Sequence, residues 1–169
     1  MSQAAPAAFV LKHEFTTMSG ADTIEVGRKL AGLLQPPQLL ILRGDLGTGK
    51  TTLVKGIAQA LDAAESDEVT SPTFTLLHEY DGTRLGSPVK LFHLDVYRLD
   101  GERQLETLGL DELLTPNALV LVECGEKFKS IRKKATGEIV IASAGGDARK
   151  ITVALKETEI RDQGSGIRL

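Results

Sequence analysis

The sequence predicts an α/β fold of three layers, in which helices cover both faces of a mixed, largely parallel β-sheet. Two short apolar runs, LLIL at 39–42 and ALVLV at 118–122, are typical of strands buried on both faces. Amphipathic patterns at 22–34 and 50–61 predict helices that pack against such strands. Further strand-like segments come in pairs separated by turn-forming residues, so the sheet must also contain antiparallel strands.

Length and composition are those of a soluble globular protein. The chain has 169 residues, of which 41% are hydrophobic and 25% are charged, and its net charge is −3. We expect one domain over residues 1–156 and a flexible tail over residues 157–169, where the sequence becomes polar and contains glycine. The acidic balance argues against a surface built mainly for nucleic acid.

Three further features predict a cytoplasmic protein. The single cysteine, Cys124, excludes an internal disulfide and a cysteine-rich zinc site. The N-terminal segment lacks the pattern of a secretory signal. No apolar run approaches the roughly 20 residues that a membrane span requires.

The individual elements follow from local patterns. The first helix, 22–34, begins with Asp22 followed three residues later by Glu25, which resembles a capping box. A buried strand at 38–43 and the helix at 50–61 come next. The rest of the chain predicts a hairpin of strands 73–80 and 89–97, followed by two short helices at about 102–107 and 111–114. A buried strand at 118–123 and a closing hairpin of strands 138–143 and 149–155 complete the prediction.

Between the first strand and the second helix, residues 44–51 read GDLGTGKT and match the phosphate-binding pattern GxxxxGK[ST]. Glycines allow backbone N–H groups to wrap an anion, and the following helix adds the positive end of its dipole. Lys50 can reach the β and γ phosphates, and the Thr51 hydroxyl can enter the Mg²⁺ shell. The predicted nucleotide-binding residues of this P-loop are Leu46, Gly47, Thr48, Gly49, Lys50, Thr51 and Thr52. The alternative, a glycine-rich turn that binds nothing, is disfavoured by the strand before it and the helix after it.

Two acids end predicted strands and are candidates for the metal site. Asp95 follows the apolar segment 91–94, and Glu123 ends ALVLVE. Ligands of open α/β folds gather at the carboxyl edge of the sheet, so both acids are expected near a Mg²⁺ ion together with Thr51. The alternative for each is a carboxylate that faces water.

A Ser/Thr-rich bend, TSPTFTL at 70–76, lies between the P-loop and Asp95. Ser71, Pro72 and Thr73 form a candidate switch-like loop, because a hydroxyl or amide there could meet the γ phosphate only in the triphosphate state. The alternative is a simple turn that leads into a strand.

The segments GDLGTGKTTL, SPTFTL, HLDVYRL, LGLDELL and VLVE, in this order and spacing, resemble the TsaE family of P-loop ATPases from bacterial tRNA threonylcarbamoyladenosine biosynthesis. The resemblance covers about residues 17–155. It implies a P-loop NTPase fold and a cytoplasmic ATPase that uses ATP with Mg²⁺ and is weak without partner proteins. The implied partners are TsaB and TsaD, of which TsaD transfers the threonylcarbamoyl group, with tRNA contacted only through the complex.

The resemblance also implies roles for individual residues. Lys50, Asp95 and Glu123 become the candidate catalytic residues, with Glu123 polarising the attacking water. Gly20 and Asp22 correspond to the segment that contacts adenine. One departure is clear, because Cys124 stands where the family usually has tryptophan, and a small thiol cannot replace the stacking area of an indole. We expect Cys124 to be a buried structural thiol rather than a nucleophile.

Other functions remain open at this point. A small-molecule kinase would need an acceptor site and an arginine-bearing lid, for which only Arg84, Arg98 and Arg103 are candidates. A nucleotide-gated binding module would hydrolyse ATP only incidentally. A GTPase is disfavoured because no NKxD-type segment is present. The basic segment 127–134 is either an RNA or partner contact or an ordinary exposed face.

Overall fold

A computed structural model describes residues 9–45, 47–72 and 76–156 of the chain. In this part, one mixed sheet contains seven strands in the order β1-β7-β6-β2-β5-β4-β3. The strands are β1 (Phe9–Thr17), β2 (Gln38–Arg43), β3 (Leu77–Arg84), β4 (Ser87–Asp95), β5 (Ala118–Glu123), β6 (Gly137–Ser143) and β7 (Arg149–Lys156). The α-helices are α1 (Gly20–Leu33), α2 (Lys50–Ala60), α3 (Glu102–Glu106), α4 (Leu110–Leu113) and α5 (Lys129–Lys134).

The strand directions confirm the predicted α/β class and its mixed sheet. The central strands β6, β2, β5 and β4 are parallel, whereas the outer pairings of β1, β7 and β3 are antiparallel. The sequence did not predict β1. This strand pairs with β7, and its exposure alternates from residue 12 to residue 17.

Helices lie on both faces of the sheet, as predicted, and divide the core into two clusters. On the α1/α2 face, the helical residues Leu30, Leu53 and Ile57 pack with strand residues such as Leu40 and Leu121. On the α3–α5 face, Leu105, Leu110 and Ile131 pack with residues such as Ile41 and Val120. Alternation along each strand sends neighbouring side chains to opposite faces, so the central strands are buried on both sides.

Two glycines allow α1 and α2 to cross closely. A Cβ on Gly27 would overlap the Leu53 carbonyl oxygen, and a Cβ on Gly56 would overlap that of Ile24. The backbones therefore touch at the crossing, which fixes the position of α2 and of the loop that precedes it.

The structure corrects two predicted boundaries. Helix α1 begins at Gly20 rather than at residue 22, because Ser19 is the N-cap and its Oγ accepts from Asp22 N. Asp22 occupies the third helical position, and its carboxylate accepts from Met18 N, so a capping-box-like pair exists three residues earlier than predicted. In the β3–β4 hairpin the strands extend into the predicted loop, because the turn needs only Leu85 and Gly86, with φ of 54° and 84°.

The remaining predicted elements from 102 to 155 are confirmed as α3, α4, β5 and the β6–β7 hairpin. The predicted tail, 157–169, lies outside the described residues. Among the described helices, none combines the length and hydrophobicity that a membrane span requires.

Candidate functional site

The P-loop joins the carboxyl end of β2 to the first residue of α2. Gly47 and Gly49 have φ of 82° and 107°, values that residues with a side chain rarely adopt. Thr48 between them is buried, and its amide and hydroxyl both bond to the Asp45 carbonyl, at 3.2 and 2.8 Å. Leu46, a predicted phosphate-binding residue, lies outside the described residues.

Lys50 opens α2 and points back across the loop. Its Nζ donates to the Gly44 carbonyl at 2.6 Å and lies 3.8 Å from Glu123 Oε1. The carbonyl bond is the shorter contact and fixes the ammonium group in this structure. Lys50 is therefore placed between the loop and the acid at the end of β5.

Asp95 and Glu123 are brought together as predicted. They are partners in the parallel register of β4 and β5, and Glu123 also pairs with Leu42 of β2. Both acids are buried, with 7% and 5% of their surfaces exposed. The Tyr97 amide donates to Asp95 Oδ1 at 2.9 Å, which fixes the orientation of that carboxylate. A pair of carboxylates therefore lies beside the P-loop lysine.

His93 is a site residue that the sequence did not predict. Its Nε2 lies 2.6 Å from Glu123 Oε2, and the ring is fully buried. Its Nδ1 is buried without a hydrogen-bond partner among the described residues. This arrangement fits the tautomer in which Nε2 carries the proton and donates to Glu123, because a buried acceptor without a partner is less unfavourable than a buried N–H without one. The segment HLD, residues 93–95, contains a pattern that could have indicated this role, because side chains alternate along a strand and His93 therefore lies on the same face as Asp95.

A cleft opens between the P-loop, the start of α1 and the β6–β7 turn. It is lined by Gly20, Thr23, Gly47, Thr48, Gly49, Thr52, Asp147 and Arg149. Gly20, predicted to lie near adenine, is in this lining. Asp22 is not in it and caps α1 instead. Thr23, Asp147 and Arg149 were not predicted.

Backbone hydrogen bonds connect Pro72 of the candidate switch-like loop to Asp95 through Leu76. Leu76 N donates to the Pro72 carbonyl at 2.7 Å, and Asp95 N donates to the Leu76 carbonyl at 3.0 Å. Pro72 is therefore linked to the backbone of Asp95 by two hydrogen bonds that share Leu76. Thr73 lies outside the described residues.

Cys124 follows Glu123 with a left-handed φ of 65° and is half-buried rather than fully buried as expected. Burial, followed by the neighbouring Asp95 carboxylate, raises the pKa of the Cys124 thiol to about 11. The thiol is neutral at physiological pH, so the structure supports the prediction that it is not a nucleophile.

The basic segment is largely an exposed face with local contacts. Lys127, Lys129, Arg132 and Lys133 are exposed. Lys127 Nζ donates to the Tyr97 carbonyl and lies 5.3 Å from the centre of the Tyr97 ring, while Lys134 pairs with Asp111. These contacts agree with the structural alternative, and an RNA or partner contact stays a prediction.

The arrangement can bind an anionic oxygen at the loop and place it beside two carboxylates. Of the described residues, no group of three His, Cys, Asp or Glu side chains forms a metal site by itself. Mg²⁺ in phosphate-binding sites typically needs only one or two protein carboxylates, since the phosphates and waters supply the other ligands.

Comparison with known proteins agrees with the resemblance seen in the motifs. Residues 17–151 match the family model described as "Threonylcarbamoyl adenosine biosynthesis protein TsaE". The tRNA threonylcarbamoyladenosine biosynthesis protein TsaE of Bacillus subtilis is 38% identical over 140 residues, which cover 82% of this chain and 83% of that protein. The TsaE protein of Streptomyces coelicolor is 42% identical over 134 residues, covering 76% and 87% of the two chains.

A solved structure shows the same fold. The crystal structure of Bacillus subtilis YdiB superposes with a TM-score of 0.63 at 31% identity and covers 87% of each chain. The family match spans the P-loop, both acids and the first residues of β7. The chain belongs to the TsaE family of tRNA threonylcarbamoyladenosine biosynthesis proteins.

Proposed function

We propose that this chain binds ATP with Mg²⁺ at the P-loop and hydrolyses it to ADP and phosphate. The observation that carries the proposal is the convergence of Lys50, Asp95 and Glu123 at one P-loop, from the ends of three parallel strands and the start of α2. Buried charges are costly, so a buried acid pair beside a phosphate loop indicates a function rather than stability alone.

The residues present fit Mg²⁺ bound to a nucleotide. Thr51 lies in the first turn of α2, next to Lys50, and Asp95 is oriented by the Tyr97 amide. These two residues would hold the ion, with Glu123 close to its shell. When bound, Mg²⁺ neutralises charge on the phosphate oxygens.

The side chains divide the chemistry between them. Lys50 would exchange its bond to the Gly44 carbonyl for the β and γ phosphates. Glu123, held at Oε2 by His93, would take a proton from the attacking water through Oε1. The water oxygen then bonds to the γ phosphorus as the bond to the β–γ bridging oxygen breaks, giving ADP and phosphate.

In the cell, we propose that this cycle supports turnover of the TsaB–TsaD complex, with tRNA contacted only through that complex. The family membership supports this role, and the net charge of −3 agrees with an indirect contact to tRNA. The switch-like loop, whose Pro72 is linked to Asp95 through Leu76, would report the nucleotide state to the partners. A role in tRNA modification also fits the cytoplasmic location expected from the sequence.

The test is ATP turnover by the purified chain with and without TsaB and TsaD. Turnover should be slow alone, rise with both partners, and collapse in the Lys50→Ala and Glu123→Ala variants. A rate that does not respond to the partners would contradict the partner-dependent role. Transfer of phosphate to a metabolite instead of water would favour the kinase alternative. Partner binding that needs ATP but proceeds equally with an uncleavable ATP analogue would favour the nucleotide-gated module.

A further inference from the structure

One guanidinium group joins the P-loop to a hairpin that is distant in sequence. Arg149, the first residue of β7, donates from Nε to the Thr48 carbonyl at 2.7 Å and from Nη2 to the Gly47 carbonyl at 3.3 Å. Its Nη1 donates to the carbonyls of Gly146 and Ala148, both at 2.8 Å. All of these acceptors are backbone oxygens of the P-loop or of the β6–β7 turn.

This geometry matches what a phosphate loop needs. When the N–H groups of the loop turn inward to meet an anion, its carbonyl groups turn outward and need donors elsewhere. Arg149 supplies donors to two successive carbonyls, at Gly47 and Thr48. The hydrogen bonds to Gly146 and Ala148 hold the guanidinium group in place. Because this planar group is itself held, its hydrogen bonds to Gly47 and Thr48 can restrict the conformation of the P-loop.

The same hairpin makes a second contact with the P-loop, through strand β6. A Cβ on Gly44 would lie 2.8 Å from the Ile141 carbonyl of β6 and 2.6 Å from Thr48 Oγ1. The P-loop is thus packed against β6 at its start and bonded to β7 near its end. The β6–β7 hairpin, which is not part of the continuous segment β2–P-loop–α2, therefore contacts the P-loop at both of these positions.

We infer that Arg149 is a positioning residue that holds the P-loop in its phosphate-binding shape before the nucleotide arrives. The inference rests on the proposed function, since it concerns the same site. Preorganisation of this kind lowers the ordering cost of binding, so its loss should weaken binding of nucleoside di- and triphosphates. Arg149 also lines the cleft beside the P-loop, together with Asp147.

The experiment compares Arg149→Met and Arg149→Lys with a matched control, Lys150→Met. Lys150 is the adjacent cation, is largely exposed, and is 4.0 Å from Glu14 rather than near the P-loop. Calorimetric titration with Mg-ADP should show affinity about tenfold or more lower in Arg149→Met, as expected for loss of charge-assisted hydrogen bonds. Arg149→Lys should also bind more weakly because it lacks the fork, and Lys150→Met should bind like the unmodified protein. In turnover, KM for ATP should rise more than kcat falls.

Hydrogen exchange of the nucleotide-free protein separates this inference from the proposed function. Amides of the P-loop should exchange faster in Arg149→Met and Arg149→Lys, while those of the central strands stay protected. Unchanged exchange and unchanged Mg-ADP affinity in both variants would overturn the inference. If the unmodified protein bound no adenine nucleotide, the proposed function would fail, and the exchange result alone would decide the positioning role. Full recovery of affinity and protection in Arg149→Lys would also overturn it, because charge would then suffice without the fork.

Discussion

The two faces of the sheet bury different kinds of residue. Of the described residues, those that are polar or charged and buried are Thr17, Thr23, Gln38, Thr48, His93, Asp95 and Glu123. The site residues among them that belong to strands, His93, Asp95 and Glu123, lie on the side of α1 and α2. This placement follows from alternation, since His93 and Asp95 alternate with Leu94, and Glu123 alternates with Val122. The buried residues described on the α3–α5 face are apolar.

The site is therefore confined to the face of α1 and α2, where it lies beside the larger of the two apolar clusters. Buried carboxylates and an imidazole without a partner for Nδ1 oppose folding. The apolar packing in the two clusters offsets this cost. Variants at the buried acids should therefore lower turnover, and variants in the apolar cluster of the α3–α5 face should lower stability without lowering turnover.

The largest effect is expected at Glu123. Glu123→Gln keeps an oxygen to accept from His93 but removes the base, so kcat should fall about 100-fold or more while ATP still binds. Steady-state phosphate release and an ATP titration measure the two quantities. Glu79→Gln, which changes an exposed acid of β3, is the matched control and should leave kcat unchanged. Equal kcat in Glu123→Gln and the unmodified protein would remove Glu123 from the chemistry.

A core variant on the opposite face should show the reverse pattern. Ile131 of α5 is fully buried in the apolar cluster. Ile131→Ala should lower the free energy of unfolding by about 2–5 kcal/mol, because it leaves a cavity. Urea denaturation measures this loss. Turnover per folded molecule should stay the same. A large fall in kcat for the folded fraction would contradict the claim that packing on the α3–α5 face does not affect the site.

The α1–α2 crossing tests how tightly the site face is packed. Gly56→Ala should lower the free energy of unfolding by about 1–3 kcal/mol, since its Cβ overlaps the Ile24 carbonyl. Gly32→Ala is the control in the same helix pair, because a Cβ there meets nothing within 4 Å. It should be neutral or stabilise by up to about 1 kcal/mol through helix propensity. Thermal or urea unfolding that ranks the two variants the other way would contradict this crossing.

A smaller effect is expected at His93. His93→Ala removes the donor to Glu123 Oε2 and should lower kcat about tenfold, the value of one hydrogen bond to a charged group. His93→Gln should recover part of the rate, because its amide can donate in place of Nε2. His78→Ala, which changes a histidine of β3 that contacts Tyr80, is the control for losing an imidazole. A rate for His93→Ala equal to that of His78→Ala would show that Glu123 needs no such donor.

The smallest functional effect is expected at Cys124. Cys124→Ser should leave turnover unchanged, because the raised pKa of about 11 keeps the thiol neutral near pH 7. For the same reason, alkylation by iodoacetamide should be slow at neutral pH and should accelerate as pH rises toward that pKa, where the thiolate forms. Rapid alkylation at pH 7 would show an activated thiol.

The local motifs predicted the P-loop and both acids, because each is defined by its place at a strand end or helix start. The position of Lys50 follows from the loop motif, and the positions of Asp95 and Glu123 follow from the ends of two strands that pair in parallel. Arg149 could not be predicted in this way, since it meets Thr48 across 101 residues of sequence. The strand order β7-β6-β2, in which β6 pairs with both β2 and β7, determines this contact, and no local pattern encodes it.

His93 is an intermediate case. Alternation along HLD is enough to place its side chain on the face of Asp95, but its partner Glu123 is 30 residues away on β5. The parallel register of β4 and β5 determines that pairing. The N-cap of α1 was misplaced for a simpler reason, since Ser19 and Asp22 both suit a helix start and only the hydrogen bonds decide between them.

The most direct test of the central claim is a crystal structure of the full chain with Mg²⁺ and an uncleavable ATP analogue. We expect the triphosphate to lie in the P-loop, Lys50 Nζ to leave the Gly44 carbonyl for the phosphates, and Thr51 and Asp95 to lie at the ion. A nucleotide bound elsewhere, or an ion distant from Asp95 with Lys50 still bonded to Gly44, would contradict it.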